Sequence, residues 1–248
     1  MIENYLLISV INVKKIAATL VLAALLTGCD NASAPLSFTP EMASFSNEFD
    51  FDPLRGPVKD FSQTLINEKG EVSKRVSGTL STEGCFDTLE IHDIESNSGV
   101  ALVLDANYYL DAQTMQKKLR LQGKCQLAEM VASGISWDTN DDGFIVTAHG
   151  KTSEVNYRYA ADGYPLGKTS VSGEQRLSVA AKPSGDMHKR LDYTAISMLN
   201  DKALGNVKQT CDYDRHDNPV SCELLIVDES VKPAQERKYT IKNTIGYY

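Results

Sequence analysis

Asp138, Asn140 and Asp142 put oxygen ligands at alternate positions ahead of Gly143 and the apolar Ile145, the spacing of the first half of a calcium loop of D-x-N-x-D-G form. The twelfth place of such a loop is His149, where calcium takes a bidentate glutamate, and no helical pattern flanks it. The three residues are thus a weak calcium candidate and read first as an acidic hairpin tip. Asp212, Asp214, His216 and Asp217 form a second acidic cluster on a predicted turn, which a solvated hairpin end explains. His92, His149, His188 and His216 stand far apart, with neither HxH nor HExxH spacing, and read as surface residues. GxSxG, SxxK and glycine-rich phosphate loops do not occur, so nucleophilic and phosphoryl-transfer chemistry has no visible seat. A Ser/His/Asp triad can be scattered along a chain, which keeps an envelope hydrolase as an alternative. No cofactor and no metal are expected.

Cys29 is a cysteine of another kind. Lys14 and Lys15 precede an apolar stretch, Ile16 to Leu26, that ends in Thr27, Gly28 and Cys29. Eleven residues, ten of them apolar, fall short of the about 20 that a transmembrane helix needs and suit the core of a signal peptide. The arrangement resembles a bacterial lipoprotein signal, which implies cleavage after residue 28 and lipid on Cys29. Asp30 and Asn31 then resemble the enterobacterial signal that retains lipoproteins at the inner membrane, facing the periplasm. Residues 1–12 carry a second apolar run ahead of the lysines, and initiation at Val13 would give the usual basic-headed signal. A ribosome shown to start at Met1 would refute that start site.

The whole chain has 33 acidic and 25 basic residues, a formal charge of -8, and no Lys/Arg block able to follow a phosphate backbone, so nucleic acid is not an expected partner. Loss of the leader removes Glu3 and two lysines and leaves the mature chain more acidic still. Anionic headgroups repel such a surface, and the membrane is met through lipid, at about 0.8 kcal/mol per buried methylene.

With Cys29 lipidated, Cys85, Cys125, Cys211 and Cys222 form an even set in an oxidising compartment, and two disulfides are expected. A turn at residues 215–218 pairs Asp214 with Pro219, and counting back along both strands sets Cys211 opposite Cys222; Cys85 then takes Cys125. None of the four lies in a CxxC pair, which argues against zinc or a redox dithiol.

Residues 59–248 must position these groups, and their pattern is that of strands. Short apolar runs alternate with turn residues, and a seven-residue pattern with Gly or Asp at its fifth place recurs at 66–72, 80–86, 139–145, 159–165 and 213–219. Each copy reads as a β-hairpin tip. The last two copies are similar to the tyrosine-aspartate repeats of large bacterial shell proteins, over seven residues only and at irregular spacing, which supports hairpin chemistry alone. Further strands are expected at 100–104, 119–127, 177–181, 193–199, 224–227 and 239–245, with one short helix at 111–118. The expected fold is all-β and mainly antiparallel: successive hairpins in a sandwich or strongly curved sheet, with little helix. Residues 29–58, with four prolines between 35 and 57, read as a lipidated N-terminus and tether. Phe38, Phe45, Phe49 and Phe51 are too many aromatics for a free linker, so its second half is expected to pack as an irregular arm.

The run Leu36 to Lys59, the segment Leu102 to Tyr109, Tyr164 to Thr169 and the ending Tyr239 to Tyr248 resemble the YnfC family of enterobacterial lipoproteins. That resemblance implies a cell-membrane lipoprotein and carries no activity. The leading expectation is a non-enzymatic interaction or binding domain with an envelope protein partner. The alternatives are a carrier of an apolar ligand in a curved-sheet cavity and the hydrolase.

Overall fold

The computed structural model describes residues 35–248, so the segment 1–28 and Cys29, Asp30 and Asn31 lie outside the described residues. Alternating runs separated by tight turns bury one face by pairing each strand with the next. Among the described residues sixteen strands do so: β1 (Val58–Asn67), β2 (Val72–Leu80), β3 (Phe86–Asp93), β4 (Ser98–Asp105), β5 (Tyr108–Asp111), β6 (Lys117–Gln122), β7 (Gln126–Met130) and β8 (Ile135–Thr139). There follow β9 (Ile145–His149), β10 (Ser153–Tyr159), β11 (Pro165–Ser172), β12 (Gln175–Pro183), β13 (Tyr193–Leu199), β14 (Lys202–Tyr213), β15 (Pro219–Asp228) and β16 (Gln235–Tyr247). All pairings are antiparallel, and the curvature runs to closure: β16 returns to β1, with Ile245 opposite Phe61, and the sheet is a barrel.

The five recurring patterns are the tips β1–β2, β2–β3, β8–β9, β10–β11 and β14–β15, and Gly70, Gly84, Gly143, Gly163 and Asp217 all have positive φ. Two readings need correction. Residues 119–127 are a hairpin, β6–β7, because Gly123 and Cys125 take positive φ and turn the chain. Residues 111–118 are the β5–β6 turn and not a helix. Asp111 Oδ1 accepts the Gln113 and Thr114 amides and the Thr114 hydroxyl, an Asx turn that satisfies the backbone without a helical ladder.

Each strand reverses the last, so the tips joining even to odd strands share one end of the barrel with the start of β1 and the end of β16, where Val58 pairs with Tyr247. We call this end the base. Both disulfides close there: Cys85 to Cys125 between the β2–β3 and β6–β7 tips, and Cys211 to Cys222 as directly opposed partners of β14 and β15.

Residues 35–57 enter from the base and are more ordered than an irregular arm. Thr39 Oγ1 accepts the Met42 amide at 3.3 Å, Pro40 takes the first helical place, and Glu41 complements the helix dipole. Helix α1 (Pro40–Phe49) follows. Its Phe45 packs on Phe86 and Tyr109, with ring centroids 4.8 and 5.6 Å away. Asp50 turns left-handed and ends the helix, and the chain returns so that Pro57 O accepts the Tyr248 amide at the base. The aromatics that made a free tether implausible are what this plug buries.

The outward rows mix apolar residues, such as Leu177 on β12 and Ile196 on β13, with charged and polar ones: Arg75 and Thr79 on β2, Lys208 and Thr210 on β14, Glu223 on β15, Lys238 and Lys242 on β16 are exposed. A barrel wall set in a bilayer needs an apolar outer band about 25 Å tall, and these charges interrupt any such band.

Candidate functional site

The plug divides the lumen unevenly. Towards β3–β10 it is packed solid by Leu89, Leu102, Leu127, Trp137 and Ile145 around Met42 and Phe45, while β1 and β2 pack with Phe61 and Val76 and also face the open side. Towards β11–β16 the facing residues are shorter, among them Gly167, Val179, Ala181, Ala195 and Val207, and a cavity of about 330 Å³ remains between them and the plug. That size falls at the lower edge of small-molecule sites, roughly 300 to 1,000 Å³.

One wall of the cavity is the turn after α1. Asp52 is held there by two glutamines, from β1 and β14. Gln63 of β1 pairs with its main chain, accepting the Asp52 amide at 3.1 Å and donating Nε2 to the Asp52 carbonyl at 2.7 Å. Gln209 of β14 donates Nε2 to Asp52 Oδ2 at 3.0 Å and to Leu191 O at 3.2 Å. Burial pushes the Asp52 carboxyl up to about 6, against the lowering effects of the Gln209 hydrogen bond and the Lys74 charge.

The two lumenal lysines serve the helix end. Lys74 Nζ donates to Asp50 O at 2.7 Å and Phe49 O at 3.5 Å. Lys168 Nζ donates to Asn47 O at 2.8 Å, to Glu48 O at 3.4 Å and to Asp50 Oδ1 at 3.0 Å. The last carbonyls of a helix have no intrahelical partner and carry its negative dipole end, so two ammonium groups belong there. Burial lowers the Lys74 pKa, partly offset by Asp50 and Asp93. Tyr164 and Tyr193 border the same cavity, and their phenols are raised chiefly by burial, with Asp52 contributing.

A second polar cluster locks the plug at the base. Arg55, 2% exposed, exchanges main-chain hydrogen bonds with the Asn218 side chain at 2.7 and 2.9 Å, and its guanidinium reaches Met187 O at 2.8 Å. The guanidinium also lies 4.3 Å over the Phe38 ring and 3.5 Å from Asp162 Oδ2. Arg190 binds Asp162 with two nitrogens, at 2.7 and 3.0 Å. Burial works to raise the Asp162 carboxyl, but the hydrogen bonds from Arg190 and the Tyr164 amide, with both arginine charges, hold it below the usual range.

The weak calcium candidates serve other partners. Asn140 Oδ1 accepts the Phe144 amide, Asp138 Oδ2 meets His149 Nε2 at 2.8 Å across β8 and β9, and no three metal-ligand side chains converge among the described residues. Asp214 Oδ1 accepts the His216 and Asn218 amides at 2.8 and 3.0 Å, closing its turn. His188 faces Asp217 at 3.1 Å, His216 stacks on Tyr247, and His92 stands 3.8 Å from Glu90. No histidine lines the cavity. Asp52, Gln63, Lys74 and Gln209 were not singled out by sequence. The run Thr39, Pro40, Glu41 did carry a helix-start signal, but nothing local marks Asp52.

A profile of an uncharacterised protein family, UPF0257, matches residues 13–248. A protein of Escherichia coli O127:H6 named UPF0257 lipoprotein YnfC is 66% identical over 227 residues, covering 92% of this chain and 96% of its own. Its namesake in Salmonella dublin is 64% identical over 235 residues, 95% of this chain and 100% of its own. Among solved structures, a porin-like protein from Bacteroides uniformis aligns at TM-score 0.39 and 10% identity, over 76% of this chain and 96% of that one.

Proposed function

The chain belongs to the uncharacterised family UPF0257, and on that premise we propose that it is a lipid-anchored envelope protein whose barrel lumen binds a small, mostly apolar ligand. The observation that carries the reading is the cavity: a closed barrel packed solid on one side and left open for about 330 Å³ on the other, lined by aliphatic residues with a few convergent polar groups. Of the expectations drawn from sequence, this favours the carrier over a docking domain. Exposed large apolar side chains are single residues on turns, such as Ile94, Met115 and Val131, and a few on strands, such as Val171, Leu177 and Ile196 on β11, β12 and β13. The lining offers carboxyl, amide, ammonium and phenol groups suited to holding a ligand.

The anchor in this reading is lipid on Cys29, with residues 1–28 removed and Asp30 and Asn31 retaining the protein at the inner membrane, on the periplasmic side. The family's lipoprotein name and the Leu26 to Cys29 pattern support it. The binding reading is tested with the mature chain and N-phenyl-1-naphthylamine, a neutral dye that brightens in apolar surroundings. Dye fluorescence should rise on binding and fall at least about tenfold in apparent affinity when Ala195→Trp or Val207→Trp fills the cavity. Undiminished binding by folded versions of both variants would overturn it.

A further inference from the structure

Asp52 is the one cavity-lining carboxylate that is left without a cation. Of the acids bordering the space, Asp50 has Lys168 at 3.0 Å, whereas Asp52 forms no ion pair among the described residues and receives a single side-chain hydrogen bond, from Gln209. Lys74 is near enough to influence it, yet it makes no hydrogen bond or ion pair with Asp52, and two of its three N–H groups go to the carbonyls of Phe49 and Asp50. An ionised carboxylate removed from water and denied a counter-charge is costly, and such groups are ordinarily paired or bound to a cation. Two tyrosine rings, Tyr164 and Tyr193, and Phe51 border the same space, and aromatic faces attract cations. Aliphatic residues of β12, β14, β15 and β16 make up the opposite wall.

We propose that the lumen takes an amphipathic amine, its ammonium on Asp52 and its alkyl part along the aliphatic wall of Val179, Val207, Leu224 and Ile241. The proposal rests on the lumen being a ligand site and names the chemical class that the site prefers. Burial raises the affinity of Asp52 for a proton, and the Gln209 hydrogen bond and the Lys74 charge offset only part of that rise. An anionic amphiphile would bring a second negative charge beside Asp52, while the two lumenal lysines are already committed to the end of α1. The groups facing Asp52 from each packed element are Gln63 on β1, Lys74 on β2, Gln209 on β14, Tyr193 on β13, and Tyr164 in the β10–β11 tip, with Asp50 and Phe51 on its own segment.

Octylamine, octanol and octanoate have equal tails and different heads, and each is titrated into the mature chain at pH 7.5 with amide chemical shifts as the readout. Octylamine should bind about tenfold or more tighter than octanol, as a charge-assisted hydrogen bond predicts, and octanoate weakest of the three. Asp52→Asn, which keeps shape and hydrogen bonding, should bring octylamine down to the affinity that octanol has for the same variant. If octanol or octanoate equals octylamine on the wild-type chain, the amine assignment falls and the lumenal site stands. If all three leave the cavity resonances unmoved, the lumenal site itself falls. The wild-type ranking decides the matter even where the variant folds poorly.

Discussion

The strands β3–β10 and β11–β16 belong to one barrel with the same alternation of inward and outward residues, yet their inward rows do different things. The first set meets α1 and leaves Phe86, Leu89 and Tyr109 fully buried. The second presents Ala181, Ala195 and Val207 to a gap, and only a few of its apolar side chains, such as Cys222 and Ile241, are buried. Alternation therefore sets which residues enter a barrel, and side-chain size sets whether they fill it. Stability is concentrated on one side and room for a ligand on the other.

This contrast sets an order of effects. Phe45→Ala, which removes the ring that α1 packs on Phe86 and Tyr109, should cost about 3 to 5 kcal/mol in denaturant unfolding. A loss below about 1 kcal/mol would mean that the plug is not the anchor of the packed side. Removal of the bridge that closes a 40-residue loop, by Cys85→Ser with Cys125→Ser, should cost about 4 kcal/mol on the chain-entropy estimate.

Asp52 gives the next effect, with a defined sign. Its carboxyl is raised from 3.8 to about 6 in the folded chain, so the native state holds the proton more tightly than the unfolded state. Its contribution to stability is complete below about pH 3.8 and is lost as pH rises through about 6. Asp52→Asn should thus stabilise the ligand-free chain at pH 7.5 by an amount on the order of 3 kcal/mol, and flatten the stability profile between pH 4 and about 7. An unchanged profile would place Asp52 in contact with bulk water. Thr39→Ala, which removes the cap of α1, should cost about 1 kcal/mol. The smallest effect belongs to the open side: Ala195→Val adds volume beside a cavity and should change the unfolding midpoint by less than about 0.5 kcal/mol, whereas Ala148→Val, on the packed side, should cost about 1 to 3 kcal/mol. Equal costs at the two alanines would erase the distinction.

Much of the barrel is legible in the chain because its tips obey local rules. A positive φ at the fifth place of each seven-residue pattern demands Gly or tolerates Asp, so strand ends at residues 80, 86, 139, 145, 159, 165, 213 and 219 follow from residue type. The same counting sets Cys211 opposite Cys222. Closure is not local: no residue of β1 or β16 announces that its partner lies about 180 positions away in sequence. The plug was half legible. Its aromatics argue against a free linker, whereas the prolines around the Thr39, Pro40, Glu41 start signal have the composition of an extended chain. The cavity is the least legible feature, since an alanine facing a void and an alanine facing a core are the same letter.

The chain enters and leaves the barrel at the base, with Tyr248 bonded to Pro57, and Cys29 precedes Pro35 by only a few residues. A fully extended stretch of that length reaches about 20 Å, less than a long tether would give. If Cys29 carries lipid, as proposed above, so short a leash would set polarity too: the disulfide-braced end would face the bilayer, and the turns around Ile94, Met115 and Lys151 would lie farthest from it. An epitope inserted at Lys151 would then be open to antibody in spheroplasts, while one appended at Tyr248 would lie in the shadow of the membrane.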